Sequence, residues 1–287
     1  MRFKFLPPFL SSALVVVLAV CWFLFMPAEY QEWELVLLIF LLCLAVFAHA
    51  WQRPYYRKLT LLDPNYKLIR DLEEKAPGTY HHSMQIAALA QHAARQFPNI
   101  NLLDLRLGCL LHDLGKLKQA EYFTENQSGA SDKFDDKHLE RRRELILQHG
   151  RDGLELAKHY DVPRELWSFI ESHHGTSLTG FYYSLKGEEA ATESEKYRYG
   201  GPKPPNLATA IVMLADSVEA AARAMQGKDL EEVVTKVFQE KITDEQFEDV
   251  PELTLEKLAK IKNAFLEVLQ FVYHTRTVRK EEKQAKP

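Results

Sequence analysis

Apolar residues form two unbroken runs at the start of the chain and then thin into helical stripes. Phe9 to Met26 has 18 residues without a charge, about 27 Å as a helix and close to a bilayer's hydrocarbon thickness. Leu35 to Ala50 is a second, shorter run with His49 near its end, flanked by Trp33 and Trp51 as interface anchors. Between them PAEYQEWE is long enough for a turn and too short for a domain. Arg2 and Lys4 precede the first run, and Arg53, Arg57 and Lys58 follow the second. The turn holds Glu29, Glu32 and Glu34 and no base. The positive-inside rule then predicts a two-helix transmembrane hairpin over 1–53 with both ends in the cytoplasm. A cleaved signal peptide followed by one core helix is the competing pattern. It lacks a small-x-small cleavage site, and Val20 before Cys21 makes LAVC a poor lipobox.

From residue 59 onward strand-like alternation is absent and helical periods recur, so 54–276 reads as an all-α domain. Two stretches read as loops, 124–134 (TENQSGASDKF) and 191–205 (ATESEKYRYGGPKPP). Asp161 is expected to cap a helix with Pro163 in its first turn, and Asn206 to cap the helix after PKPP. The tail 277–287 (TVRKEEKQAKP) reads as disordered.

Composition narrows the classes. A net charge of −4 gives no overall basic character, so a nucleic-acid polymer is not an expected partner. Cys21, Cys43 and Cys109 are far apart in apolar runs, without metal-knuckle spacing or a disulfide framework, which suits a reducing compartment.

The chemistry lies in the histidines and acids. On the helix expected over 78–97, His82 shares a stripe with Ile86, Leu89, Ala93 and Phe97 and points inward. His81 shares the solvated stripe of Gln85, Ala88 and His92. One inward histidine is as a rule a hydrogen-bonded core residue. CLLHDLGKLK, 109–118, ends a leucine-lined helix in His112 and Asp113, with Gly115 expected as a left-handed stop. A carboxylate there is costly unless paired or metal-bound, and a His–Asp bond orienting the helix end answers as well as a metal does. FIESHHGTS places His173 and His174 at the end of a helix from Pro163, closed by Gly175, where a charged surface pair fits equally. His149 is read as the end of HLERRRELILQHG, with Gly153 permitting close helix packing. Asp216 interrupts the apolar LATAIVMLADSVEAAARAM in mid-helix, so its expected partner is a cation, metal or side chain.

Together these seven residues are harder to explain singly. Imidazole and carboxylate without thiolate suit Mn or Fe and, less distinctively, Zn. Seven ligands exceed the needs of one ion and suit two divalent ions if one carboxylate bridges, with Asp113 as the natural bridge.

The order H…HD…H…HH…D resembles the binuclear branch of the HD-domain metal-dependent phosphohydrolases. EKAPGTYHHS, HDLGK followed by YFTENQ, LILQHGRDGLELAK, SHHGTSL and YRYGGPKPPNLATAIVMLADSVEAAAR are similar to the catalytic domain of the seven-transmembrane-receptor HD proteins, which are membrane-bound cyclic di-AMP phosphodiesterases. The likeness runs from about Leu68 to Met225. It implies an HD-type helical bundle after the hairpin and one metal on His82, His112, Asp113 and Asp216. A second metal falls to Asp113, His149, His173 and His174, with Asp113 central to catalysis. Lys116 is placed to hold a phosphate; a lysine complementing a helix dipole is its plainer reading. Arg198, Tyr199 and Lys203 are implied to bind substrate, or else form a polar surface loop. The implied activity opens cyclic di-AMP to linear pApA at the cytoplasmic side of a bacterial cell membrane, with lipid bilayer and cyclic dinucleotide as partners and a homodimer compatible with both. Two spans stand where that family has seven, and the GYP motif of related cyclic di-GMP hydrolases is absent after HHG. The alternatives are cyclic di-GMP or another nucleotide as substrate, or a nucleotide sensor without turnover.

Overall fold

The computed structural model describes Val17 and residues 31–127, 139–179, 194–225 and 228–284; for 31–34, 139 and 273–284 it describes the backbone alone. The chain divides into two units, 1–60 and 61–287.

In the first unit, α1 (Gln31–Thr60) holds a candidate span, Leu35–Thr60, with an 18-residue window of mean hydropathy 2.3 that has no buried residue, long and apolar enough to cross a membrane. Val36, Phe40, Val46 and Phe47 stand exposed along it. The helix continues through Arg53 and Pro54 to Thr60, past the boundary expected at 53. Apart from Val17, the first apolar run lies outside the described residues, and with it the hairpin.

The second unit is helical, and among the described residues its only β feature is an isolated bridge between Leu178 and Arg198. It comprises α2 (Lys67–Lys75), α3 (Pro77–Ala94), α4 (Leu102–Leu111), a 3-10 segment (Leu114–Tyr122) and α5 (Leu139–His159). Then follow α6 (Trp167–Ser172), α7 (Leu207–Ala224), α8 (Leu230–Thr243) and α9 (Leu255–Gln284). α9 runs beyond Arg276, where the sequence suggested an unstructured tail.

Two helices form the centre. α7 buries Ile211, Val212, Leu214, Ala215 and Val218, and so has almost no solvent face over that stretch. Asn206 caps it by accepting from the Thr209 amide at 3.0 Å while Thr209 Oγ1 accepts from the Asn206 amide, a capping box. α3 packs against α4, α7 and α9, burying Ile86, Leu89, Ala90 and Ala93. His82 is buried and His81 exposed, as the stripes predict.

Asp161 differs from expectation. It takes φ 56° and ends α5, with Val162 N–H bonded to the Ala157 carbonyl at 2.8 Å and Asp161 N–H to that of Lys158 at 3.2 Å. This is a Schellman closure with an aspartate where glycine is usual. The next helix starts from Pro163 without a side-chain cap, as a 3-10 turn (Arg164–Leu166) leading into α6.

Candidate metal centre

Each histidine is aimed by its own helix. Nδ1–H of His112 donates to the Cys109 carbonyl at 2.7 Å, that of His149 to Ile146 at 2.5 Å and that of His173 to Ile170 at 2.8 Å. In all three the acceptor lies three residues back, so the proton is fixed on Nδ1 and Nε2 is left with a lone pair. His82 Nδ1–H donates to Glu219 at 2.5 Å, which turns its Nε2 towards Asp216 at 3.0 Å.

These Nε2 atoms converge on Asp113, which follows the end of α4 with φ −99° and ψ 19°, a sparsely populated backbone region common at functional sites. Its Oδ2 lies 3.2 Å from His112 Nε2 and 3.8 Å from His82 Nε2. Its Oδ1 lies 3.3 Å from His149 Nε2 and 3.5 Å from His173 Nε2. Asp216 reaches in from the middle of α7, with Oδ1 3.0 Å from His82 Nε2 and 3.9 Å from His112 Nε2, and Oδ2 3.4 Å from His174 Nδ1. Every residue of the set is buried except His174, which is partly exposed.

Glycines permit the approach. Gly115 is not left-handed; it lies in the 3-10 segment, and a β-carbon there would collide with the His149 carbonyl. Gly153 faces it, with its own β-carbon direction filled by Ile170 and Gly115. His149 accordingly sits inside a 21-residue helix that runs on through Gly150 and Gly153, not at a helix end. Gly175 does have φ +55° and turns the chain after His174.

Three observations fit a metal. His112 Nε2 and Asp113 Oδ1 are buried without a hydrogen-bond partner, which is unusual for polar atoms in a core. His149 and His173 Nε2 stand 3.0 Å apart although both Nδ1 protons are committed to carbonyls. Two lone pairs therefore face each other, an arrangement a shared cation relieves. Two donor groups, Asp113–His149–His173–His174 and His82–His112–Asp113, each lie within 4.8 Å, compatible with ligand bonds of about 2.0–2.2 Å.

Protonation is in keeping. Burial pulls His173 down to about 4 and His174 well below its usual value, so both imidazoles are neutral at pH 7, the form a metal requires. Burial would raise Asp113, but Lys116 and His112 hold it well below the usual carboxylate range. Burial opposes ionisation of Asp216 too, and the bond from His82 outweighs it. Burial would lower His82, yet bonds to Asp216 and Glu219 carry it up to about 9, so an ion bound at its Nε2 would take the place of a proton.

The centre opens to two cavities, of about 560 and 360 Å³, that share His149, His174 and Tyr199. The Tyr199 ring stacks on His174 at 4.1 Å. A family model described as HD domain matches residues 79–221. The crystal structure of the Listeria monocytogenes phosphodiesterase PgpH HD domain matches over its whole length and 73% of this chain, with TM-score 0.68 and 34% identity.

The chain belongs to the HD-domain family.

The same Listeria domain solved in complex with cyclic-di-AMP matches with TM-score 0.68 and 33% identity, over 74% of this chain and all of that one. The cyclic-di-AMP phosphodiesterase PgpH of Bacillus subtilis is 38% identical over 224 residues, 77% of this chain and 31% of that protein. PgpH of L. monocytogenes is 35% identical with the same shares. The chain thus spans about a third of the length of the curated relatives it matches.

Within this HD domain Lys116 bonds Asp113 at 2.8 Å and Glu125 at 2.7 Å. Burial opposes its charge, and the two carboxylates more than restore it. Arg198 and Lys203 line neither cavity. Arg198 bonds Asp244 at 2.9 Å and the Thr176 carbonyl at 2.8 Å, bracing the turn after His174, and Lys203 pairs with Glu248 at 2.6 Å. Of the three residues expected to meet substrate in that loop, only Tyr199 faces the centre. Sequence reasoning passed over Glu219, although it falls on the face of α7 that carries Asp216, three residues on. It also passed over Glu125, and over Gln246, fully buried, whose Oε1 accepts from the Thr176 amide at 3.0 Å.

Proposed function

We propose that this HD-domain chain is a membrane-anchored, metal-dependent phosphodiesterase that opens cyclic di-AMP to linear pApA at a two-ion centre. The observation that carries the reading is the sharing of Asp113, one oxygen towards His82 and His112 and the other towards His149 and His173. The relatives' cyclic-di-AMP activity, and the nucleotide bound to the Listeria domain, support the choice of substrate.

His82, His112, Asp113 and Asp216 would hold one ion, and Asp113, His149, His173 and His174 the other. Divalent ions bound there supply Lewis acidity, making water acidic enough to deprotonate near neutral pH and offsetting charge on phosphoryl oxygens. The donor set, without thiolate, favours Mn or Fe. The protein's own contribution is pre-organisation: four Nδ1 protons are spent on fixed acceptors, so the ligand atoms need no reordering. Lys116 stays charged beside Asp113 and has a third N–H for a phosphoryl oxygen as negative charge builds in attack on phosphorus. Tyr199, stacked on His174, offers a ring face to an adenine. The apolar face of α1 supports the anchor.

Full-length protein in detergent, loaded with Mn²⁺ and incubated separately with cyclic di-AMP and cyclic di-GMP, tests this by chromatography of the products. Conversion of cyclic di-AMP to pApA, faster than turnover of cyclic di-GMP, is the expected result. Folded, metal-loaded protein that leaves cyclic di-AMP intact overturns it, and preferential turnover of cyclic di-GMP reassigns the substrate.

A further inference from the structure

α8 lies outside residues 79–221, the segment that matches the HD family, yet it sends a cation into the smaller cavity. Lys241, in the last turn of α8, lines that cavity with Lys116, Arg142 and Arg223. Lys116 already faces two carboxylates, and Arg223 lies 3.7 Å from Glu219. Lys241 is different. Its ammonium donates to the neutral hydroxyl of Ser177 at 2.7 Å, and among the described residues it makes no ion pair. An ammonium has three donors, so two remain for a ligand. Holding a cation in an enclosed site is costly, and burial lowers the Lys241 pKa although Asp216, Asp244 and Glu240 act in the other direction. Each of these acids has another cation or histidine beside it: Asp216 has His82 and His174, Asp244 has Arg198, and Glu240 has Lys236.

A cyclic dinucleotide carries two phosphodiesters. One is consumed at Asp113, and the other keeps its negative charge and has to be accommodated beside it. The smaller cavity adjoins the centre through His82, His149, His174 and Asp216, and its lining also includes Lys241 and Ser177. We propose that Lys241, oriented by Ser177, binds the non-scissile phosphate of the substrate, an inference that rests on the phosphodiesterase reading above.

The test compares full-length, Mn²⁺-loaded wild type with Lys241→Met, Lys241→Gln and Lys241→Arg on two substrates. These are cyclic di-AMP and bis(p-nitrophenyl) phosphate, which has a single phosphodiester. Lys241→Met is expected to raise KM for cyclic di-AMP at least about tenfold, the scale of one hydrogen bond to a charged group, with kcat little changed. Its kcat/KM on bis(p-nitrophenyl) phosphate should stay at the wild-type value, and Lys241→Arg should recover most of the loss. If Lys241→Met fails to fold, Lys241→Gln serves the same comparison. An unchanged KM for cyclic di-AMP, or a proportional loss on both substrates, overturns the role of Lys241 and leaves the phosphodiesterase reading standing. Wild type that cleaves bis(p-nitrophenyl) phosphate and spares cyclic di-AMP overturns both.

Discussion

Gly115 and His149 touch backbone to backbone: a β-carbon on the glycine would run into the histidine's carbonyl oxygen. That contact lets the segment after Asp113 lie against α5 and brings Asp113 Oδ1 to 3.3 Å from His149 Nε2. Gly115→Ala is therefore expected to destabilise the domain by about 1–3 kcal/mol through overpacking. It should also separate the two ligands, lowering bound Mn²⁺ and activity together. Gly150→Ala, whose nearest neighbour would be the Ile170 carbonyl oxygen at 3.8 Å, is the control and should behave as wild type. Thermal unfolding and metal analysis check both. Wild-type stability and metal content in Gly115→Ala would show that the contact does not control the spacing.

Glu219 acts on the centre through His82. Its carboxylate accepts the Nδ1 proton at 2.5 Å, fixing the tautomer that leaves Nε2 facing Asp113 and Asp216. Removing such an outer partner typically lowers metal affinity about 10–100-fold. Glu219→Ala is expected to show a loss of that order in Mn²⁺ titration. Glu219→Gln keeps an acceptor oxygen and should lose less. Equal affinity in all three proteins would mean that the packing of α3 alone orients His82.

Periodicity carried far here because the candidate ligands sit on helices. His82 falls on the stripe of Ile86 and Leu89, and Asp216 in a run with no solvent face, so both announce themselves as polar groups in apolar settings. What periodicity cannot express is contact across the chain. Gly115 reads as a helix stop because a glycine after an apolar run usually is one, whereas its cause is the passing backbone of α5. Arg198 and Lys203 look available for substrate until Asp244 and Glu248, some 45 residues later, return to pair with them. Asp161 suits either end of a helix; the Schellman bonds from Asp161 and Val162 put it at the end of α5. Lys241 gives no local signal, since its site exists only where α8 meets Ser177.

Asp71 supplies a pH dependence away from the centre. The Tyr160 hydroxyl donates to its carboxylate at 2.6 Å, and Lys67 and Lys75 bond it from either side along α2. The bonds from Lys67, Lys75 and Tyr160 hold its pKa well below the ordinary value. A carboxyl lowered in the folded state binds its proton more readily when unfolded, so its contribution is complete above about pH 4 and declines as pH falls through the folded value. Asp71→Asn should cost about 1–2 kcal/mol at pH 7, less than a buried charged bond because both lysines are exposed. The gap to wild type should narrow steadily below pH 4 in urea unfolding. A difference constant from pH 7 to pH 3 would assign the effect to packing rather than charge.

Metal removal makes the most direct demand on the geometry. Four of the seven candidate ligand side chains are held by carbonyls or Glu219, and His112 Nε2 and Asp113 Oδ1 are buried without a hydrogen-bond partner. An ion that binds this arrangement and not the unfolded chain stabilises the fold by mass action, about 2.7 kcal/mol at a hundredfold excess over Kd. Chelation should therefore lower the melting temperature, and Mn²⁺ should restore it in proportion to the logarithm of its concentration. Asp113→Asn removes the shared carboxylate charge and should abolish the response to Mn²⁺ almost entirely. Lys116→Met, which contributes no ligand atom, should retain it while losing turnover. Should Lys116→Met also lose the Mn²⁺ response, the lysine's main task would be to hold Asp113 in place, and its assignment to a phosphoryl oxygen would be withdrawn.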